Sequence, residues 1–296
     1  MISVGTCSWT EKTLIQSGEF YPGNVKTAEE RLRYYAAHFR TVEVDSPYYA
    51  IPDRRNTSLW AERTPEGFIF HIKVYGALTG HGVDPKTLPR DMQDTIPSSE
   101  RDKRYIYIKD AALLEDVAER FRDALVPLSH SGKLGVLVFQ YPPWFHYKSS
   151  NLDYIVNCKA LMGGLPLGVE FRHGSWLAAD KKDTVFGFLE EHEISYIAAD
   201  EPQYGNLATV PFIPHVTTDI AYYRFHGRNR ENWLKKGIAT TLRYAYLYSD
   251  SELRKFIPAL LEGDKKAKKT YAMFNNCHGG FAMKNALRIR EMLEKE

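Results

Sequence analysis

Short apolar runs alternate with stretches whose apolar positions recur at helical spacing, and the alternation continues from one end of the chain to the other. Ile2–Thr6 is the first strand candidate. Ala28–Phe39 follows with helical spacing, opened by Thr27 as N-cap and Glu30 three positions on, the pair that a capping box needs. Thr41–Asp45, Phe68–Val74, Leu134–Tyr141, Leu167–Phe171, Ser195–Asp200, Ala221–His226 and Thr270–Phe274 read as further strands. Asp53–Arg63, Ala111–Leu128, Leu152–Met162, Asp183–His192, Ser251–Leu261 and Lys284–Leu293 read as helices.

Eight strands, nearly all followed by a helix, imply parallel pairing through right-handed crossovers. The predicted class is α/β, a closed (β/α)8 TIM-type barrel over residues 1–296 as a single domain. A doubly wound open sheet is the rival, but the region of Gly5 and Gly18 lacks the G-x-G-x-x-G turn that such a sheet usually carries. Two segments interrupt the pattern. Residues 75–110 form a long insertion after strand 3, with His81, Asp84, Arg90, Asp91, Asp94 and the run Arg101-Asp102-Lys103-Arg104. Pro202–Thr218 separates strands 6 and 7, where Pro211 and Pro214 discourage a helix. Both are expected on the face where βα loops build sites, as surface elaboration or as a lid.

Side chains alternate across a strand, so each run splits into two faces. Glu43 and Asp45 oppose Val42 and Val44; Ile69, His71 and Lys73 share a face; Gln140 aligns with Val136 and Val138. Glu170 and Arg172 oppose Val169 and Phe171, Asp200 ends strand 6, Arg224 and His226 align with Tyr222, and Asn275-Asn276 end strand 8. Helix-covered faces must be apolar, so the polar parity is predicted to point into the barrel at its C-terminal mouth. Glu43, Asp45, Glu170 and Asp200 would there meet Lys73, Arg172, Arg224 and His226. Buried charge is costly unless paired or functional, so the cluster is either a structural ion network or an active site.

Composition narrows the partners. The chain has 296 residues, 44% hydrophobic and 26% charged, which excludes a disordered or collagen-like polymer. Its net charge of +2 supplies no global field toward nucleic acid or anionic membrane. No apolar run reaches the roughly 18 residues of a membrane span, and Met1–Trp9 lacks the basic and apolar regions of a secretory signal. The expectation is a cytoplasmic protein without a membrane partner. Cys7, Cys158 and Cys277 are too few for a disulfide framework, and Cys7 and Cys277 are predicted to be reduced neighbours across strands 1 and 8.

Motifs spread over the whole chain carry a resemblance. Gly5-Thr6-Cys7-Ser8-Trp9, Phe20-Tyr21-Pro22, Val42-Glu43-Val44-Asp45-Ser46-Pro47-Tyr48-Tyr49, Trp60-Ala61-Glu62-Arg63-Thr64-Pro65, Phe70–Lys73, Phe139–Pro143, Glu170-Phe171-Arg172-His173, Arg224-Phe225-His226-Gly227 and Asn275-Asn276 together resemble the YecE-like family (domain of unknown function 72). The resemblance implies a single (β/α)8 barrel, and it implies little about activity because that family is largely uncharacterised. Asp45 departs from the family pattern, in which Asn is common, and adds a negative charge.

Three functions fit the cluster. The leading expectation is a hydrolase or lyase acting on a phosphate-bearing substrate, nucleic acid among the candidates. Lys73, Arg172 and Arg224 would clamp phosphate, Glu43 or Glu170 would serve as base and His226 as acid. Gln140, Asn275 and Asn276 would add polar contacts, with Tyr48, Trp9, Trp176 and Trp233 as stacking rings. A basic stretch from Arg224 to Arg243 supports this reading. The second function is isomerase- or epimerase-like proton transfer on a sugar-like substrate. No cofactor is required by the sequence, although magnesium or manganese on Glu43, Glu170, Asp200 and His226 is compatible with it. The third is a non-catalytic ligand-binding barrel.

Overall fold

The apolar runs pair as eight parallel strands in a computed structural model that describes residues 1–296: β1 (Ile2–Thr6), β2 (Thr41–Val44), β3 (Ile69–Lys73), β4 (Leu134–Gln140), β5 (Leu167–Glu170), β6 (Ser195–Asp200), β7 (Ile220–Phe225) and β8 (Lys269–Phe274). Hydrogen-bonded neighbours follow the order β1-β8-β7-β6-β5-β4-β3-β2, and β1 lies against β2, so the sheet curls into a (β/α)8 barrel. Helices Ala28–His38, Arg54–Glu62, Ala111–His130, Ser149–Leu161, Lys182–Glu191, Asp250–Lys266 and Phe281–Leu293 cover it. Thr27 and Glu30 form the anticipated capping box. Between β6 and β7 the chain returns without a helix. A short helix, Lys12–Ser17, lies outside the predicted elements, because six residues with one buried side chain, Leu14, leave no periodicity to read.

Two cores result. A cluster of 60 buried apolar residues fills the layer between sheet and helices, whereas only seven, Cys7, Val136, Val138, Ile197, Tyr222, Tyr271 and Met273, form the core inside the bore. The upper bore is therefore left to polar side chains.

The junction of β1 with β2 is the one pair of adjacent strands that no ladder joins. Tyr35, from helix Ala28–His38, closes it with its phenol. The hydroxyl accepts from the Thr6 backbone N–H at 3.0 Å and donates to the Thr41 carbonyl at 3.0 Å. Close approach also demands Gly5, since a Cβ there would sit 2.4 Å from the Thr41 carbonyl oxygen. A second side chain completes the sheet at β4, where one extra residue shifts the register between Phe70 and Ile72. The displaced Val136 N–H donates to Nδ1 of His71 at 2.9 Å. Burial, reinforced by Lys269, holds His71 neutral by pushing it down to about 3, so Nδ1 stays an acceptor.

The insertion at 75–110 is bound to the outer helices along much of its length. The Leu78 carbonyl accepts from Tyr154 at 3.1 Å, and Arg120 pairs with Asp91 at 2.5 Å. Its inner edge, with His81 beside Tyr48, walls one side of the barrel mouth.

Replacing Tyr35 with Phe should keep the fold but leave the Thr6 N–H and Thr41 carbonyl without that partner. A loss of about 1–3 kcal/mol is expected in urea unfolding. An unchanged midpoint and slope would show that the seam does not depend on the phenol.

Candidate functional site

The period-two reading places Arg224 inside the bore, fully buried, and the sequence surrounds it with carboxylates. Its Nη2 donates to Glu43 Oε1 at 2.5 Å, and its Nη1 donates to Glu170 Oε2 and to Gln140 Oε1, the latter at 3.2 Å. Asp45 Oδ1 lies 3.7 Å from Nη2. The second oxygen of Glu43 accepts from the Tyr222 hydroxyl at 2.8 Å. Glu170 also meets Arg172, 3.2 Å from Nε, and Arg172 donates through Nη1 to Glu201 at 2.5 Å. Arginine from β7 thus ties β2 to β5, and Arg172 carries the network on to the residue that follows β6.

His226 completes this floor. Its Nε2 stands 3.2 Å from Glu170 and its Nδ1 2.9 Å from the Asn275 amide nitrogen. An amide N–H can only donate, so Nδ1 accepts and the proton resides on Nε2, which donates to Glu170. Burial outweighs the attraction of Glu170 and pushes His226 down to about 3, so the ring is neutral. Burial alone would raise Glu170, but Arg224, His226 and Arg172 outweigh it and hold the carboxyl well below the usual range. With His226 uncharged, the two guanidiniums supply the charge that does this.

Above the floor the mouth opens onto Asp45, Lys73 and Tyr48, all partly exposed. Lys73 Nζ lies 4.5 Å from the centre of the Tyr48 ring and has no carboxylate within salt-bridge range. Burial lowers its pKa against the raising effect of Asp45. Asp45 Oδ1 is buried without a hydrogen-bond partner. Burial pushes Glu43 up to about 7 against the pull of Arg224, and the neighbouring Asp45 carboxyl adds to the rise. Two carboxyl groups on one face of β2, one able to hold a proton near neutrality, therefore stand across from an uncommitted ammonium.

Several sequence expectations are corrected. Asp200 does not face the bore: it takes Arg228 at 2.7 Å and the Tyr248 hydroxyl at 2.6 Å on the other face of β6, and Glu201 is the inward acid. Trp9 packs edge-on against Trp60 and Phe70, and Trp176 stacks on Phe171, so both belong to the outer core. Asn276 binds the Tyr246 carbonyl and Asn285, away from the mouth, leaving Asn275 as the site asparagine. Lys73, Arg172 and Arg224 do converge, but both arginines are occupied by internal carboxylates, so they do not form an open cradle. No three His, Cys, Asp or Glu side chains gather as a metal site requires, because Arg224 stands between Glu43 and Glu170 and Asp200 faces away. Cys7 and Cys277 pack in the same inner cluster as free thiols.

Loops bring three further side chains to the site: Trp233, anticipated as a stacking ring, His81, anticipated only as part of the insertion, and Tyr244, which the sequence did not single out. Trp233 lies against the Arg172 guanidinium with 5.1 Å to the ring centre, and the Tyr244 hydroxyl accepts from Arg172 at 3.4 Å. His81 donates from Nδ1 to Thr79 at 2.8 Å, since that hydroxyl already gives its proton to the Gly76 carbonyl. Burial, with help from Lys73, pushes His81 down to about 3. All three arrive on loops whose irregular backbone gives no alternation to read.

A family model described as "Protein of unknown function DUF72" matches residues 3–296. The chain belongs to the DUF72 family. Among its relatives, the UPF0759 protein YunF of Bacillus subtilis (strain 168) is 33% identical over 100% of this chain and 96% of its own. A crystal structure of a DUF72 family protein from Thermotoga maritima MSB8 superposes with a TM-score of 0.77 at 31% identity, covering 99% of each chain. Another from Enterococcus faecalis V583 gives 0.80 at 28% identity, covering 99% of this chain and 96% of that one. These relatives bear out the barrel and the family, and their descriptions name no reaction. No helix of this DUF72 chain is long and apolar enough to cross a membrane.

The buried titratable groups of this DUF72 barrel make opposed contributions to the pH dependence of stability. Glu43 and Glu201, both raised to about 7, bind more protons folded than unfolded, so their contribution declines as pH climbs from about 4.5 to 7. Histidines 71, 81 and 226, lowered to about 3, act in the opposite sense below pH 6.5. The difference between wild type and Glu43→Gln isolates one group: the variant should gain relative stability from pH 5 to 7 and then level off. A flat difference in guanidinium unfolding would place the Glu43 pKa near its ordinary value. Arg224→Gln, which strands two buried carboxylates, should cost about 3–5 kcal/mol in the same assay at neutral pH.

Proposed function

We propose that the barrel mouth is an active site for proton transfer on a small sugar-like substrate. Asp45 is the base that meets the substrate, Glu43 holds a proton behind it, and Lys73 stabilises the oxyanion that develops. The observation that carries this reading is the division of charge. Arg172 and Arg224 are neutralised from within, whereas Lys73 stands free beside a carboxylate whose Oδ1 lacks a hydrogen bond. A phosphate cradle draws on several open cations with bidentate reach. One ammonium remains, which weighs against the hydrolase or lyase acting on phosphate esters or nucleic acid.

In the proposed step a C–H beside a carbonyl gives its proton to Asp45, and the bonding electrons pass to the carbonyl oxygen as an enediolate facing Lys73. Return of the proton to the adjacent carbon, with the hydroxyl proton passing from that carbon's oxygen to the former carbonyl oxygen, yields the isomer. Return to the opposite face of the same carbon yields the epimer, and nothing else is consumed. Tyr48 limits the swing of Lys73 by lying against it. Glu170, His226, Asn275 and Gln140 act as positioning residues, since they hold Arg224 and through it Glu43. The divalent-metal version finds no open ligand set, because Glu43, Glu170 and His226 already have partners. A reduced cytoplasm suits the three free cysteines.

The test is exchange of substrate C–H for deuterium, followed by proton NMR in D2O over a panel of aldoses and ketoses. Wild type should wash out the α-proton of at least one sugar, and Asp45→Asn or Lys73→Met should slow that by about 10²–10⁴-fold. Sugar binding without exchange would favour the non-catalytic barrel. Release of phosphate from phosphorylated analogues without exchange would restore the hydrolase.

A further inference from the structure

The chain contains 5 Trp, 19 Tyr and 15 Phe, and four of these rings are exposed: Tyr49 (63%), Tyr105 (52%), Tyr107 (56%) and Trp144 (58%). All four stand on the same side of the mouth. Tyr49 packs on Tyr48, with ring centres 5.0 Å apart; Tyr48 meets His81 at 5.1 Å, and His81 meets Trp144 at 5.6 Å. Tyr105 and Tyr107 flank Gly82, whose Cβ position lies 3.1 and 3.3 Å from them. A row of rings thus leads outward from Lys73. Water-exposed aromatic rings are an unfavourable way to end a surface, and here they are gathered rather than scattered.

The row borders an open groove. A cavity of about 620 Å3 is lined by Glu100, Lys103, Tyr105, Tyr107, Lys109 and Trp144, and its neighbour of about 600 Å3 shares Glu100, Tyr107 and Lys109. The first meets the mouth through Trp144, which packs on His81, and the second continues between the insertion and helix Ala111–His130. Each is in the size range of a site for a whole small ligand.

The local charges decide the ligand class. In the charged run Arg101-Asp102-Lys103-Arg104, Lys103 pairs with Glu100 at 3.0 Å. Arg101 is bound to the carbonyls of Ile96 and Asp94 at 2.9 and 2.7 Å, and Arg104 lies on Tyr105. Of the cations lining the two cavities, Lys109 alone lacks a carboxylate partner, so a polyanion would find a single open cation here. Exposed rings interspersed with hydrogen-bonding side chains suit a ligand with apolar C–H faces, hydroxyl edges and no net charge.

We infer that the aromatic groove is a binding site for the further sugar units of an uncharged oligosaccharide whose end residue enters the mouth. The inference rests on the sugar-like reading of the mouth and deepens it: the substrate is a chain with a reactive terminal sugar, and Trp144 and Tyr107 stack on the units behind it.

Calorimetric titration tests this with malto-, cello-, xylo- and chito-oligosaccharides, from single sugars to hexamers, alongside an oligothymidylate. In at least one sugar series wild-type affinity should rise with length by on the order of tenfold between monomer and tetramer. Trp144→Ala and Tyr107→Ala, both at exposed positions, should erase that rise. Affinity independent of length in every series, no binding in any, or a rise that survives both substitutions overturns the groove. Salt-sensitive, Trp144-dependent retention of the oligothymidylate without sugar binding overturns it in favour of nucleic acid. The mouth is judged separately. Length-dependent binding with no deuterium exchange, unaltered by Asp45→Asn, keeps the groove and removes the proposed chemistry; exchange on single sugars with no length effect does the reverse.

Discussion

A guanidinium cannot shed its proton inside a protein, so burying Arg224 in the bore obliges the rest of the barrel to answer it. Glu43 comes from β2 and Glu170 from β5. Glu170 brings in Arg172 and His226, and Arg172 in turn requires Glu201. Each partner is demanded by the one before it. Such a network adds little net stability compared with a well-packed apolar core, because desolvation offsets most of the attraction. Its effect is geometric: four strands are held at fixed heights by bonds that are costly to break one at a time.

That rigidity shapes what lies above it. With both guanidiniums of the floor paired to carboxylates, reactive potential is confined to Asp45 and Lys73, while Glu43 links the two layers by touching both Arg224 and the environment of Asp45. Preorganised groups lose little on engaging a ligand, and that is the usual benefit of a site built on strands rather than loops. The price is narrowness, since charges already satisfied cannot serve a second, ionic partner.

Much of the barrel was legible because parity is rigid: a two-residue period put Glu43, Lys73, Glu170, Arg172, Arg224 and His226 on one side without reference to any structure. The failures have physical causes. The apolar run of β6 stops at Asp200, and the inward parity set by Ile197 reaches Glu201 four residues on, one residue past the stop. Trp176 was readable in principle, since its partner Phe171 already had outward parity. Trp9 gave no such hint, because an aromatic ring serves a core or a rim equally well in sequence. Two further features leave no local signature. Occupation of the arginines depends on distances between strands far apart in the chain, and Trp233 and Tyr244 reach Arg172 on an irregular loop.

The Tyr35 seam carries a mechanical consequence. Every other junction is a backbone ladder, whereas β1 is laddered to β8 alone and β2 to β3 alone, and the two meet through the Tyr35 phenol and the close approach of Gly5 to the Thr41 carbonyl. A side-chain pivot can tilt where a ladder must slide, so the compliance of the barrel is concentrated along this edge. Glu43 and Asp45 are mounted on that edge or just beyond it, and Lys73 stands on the strand next to it. The bore resembles a split ring, and the proton-handling pair sits beside the split, where the least work is needed to widen or narrow the opening.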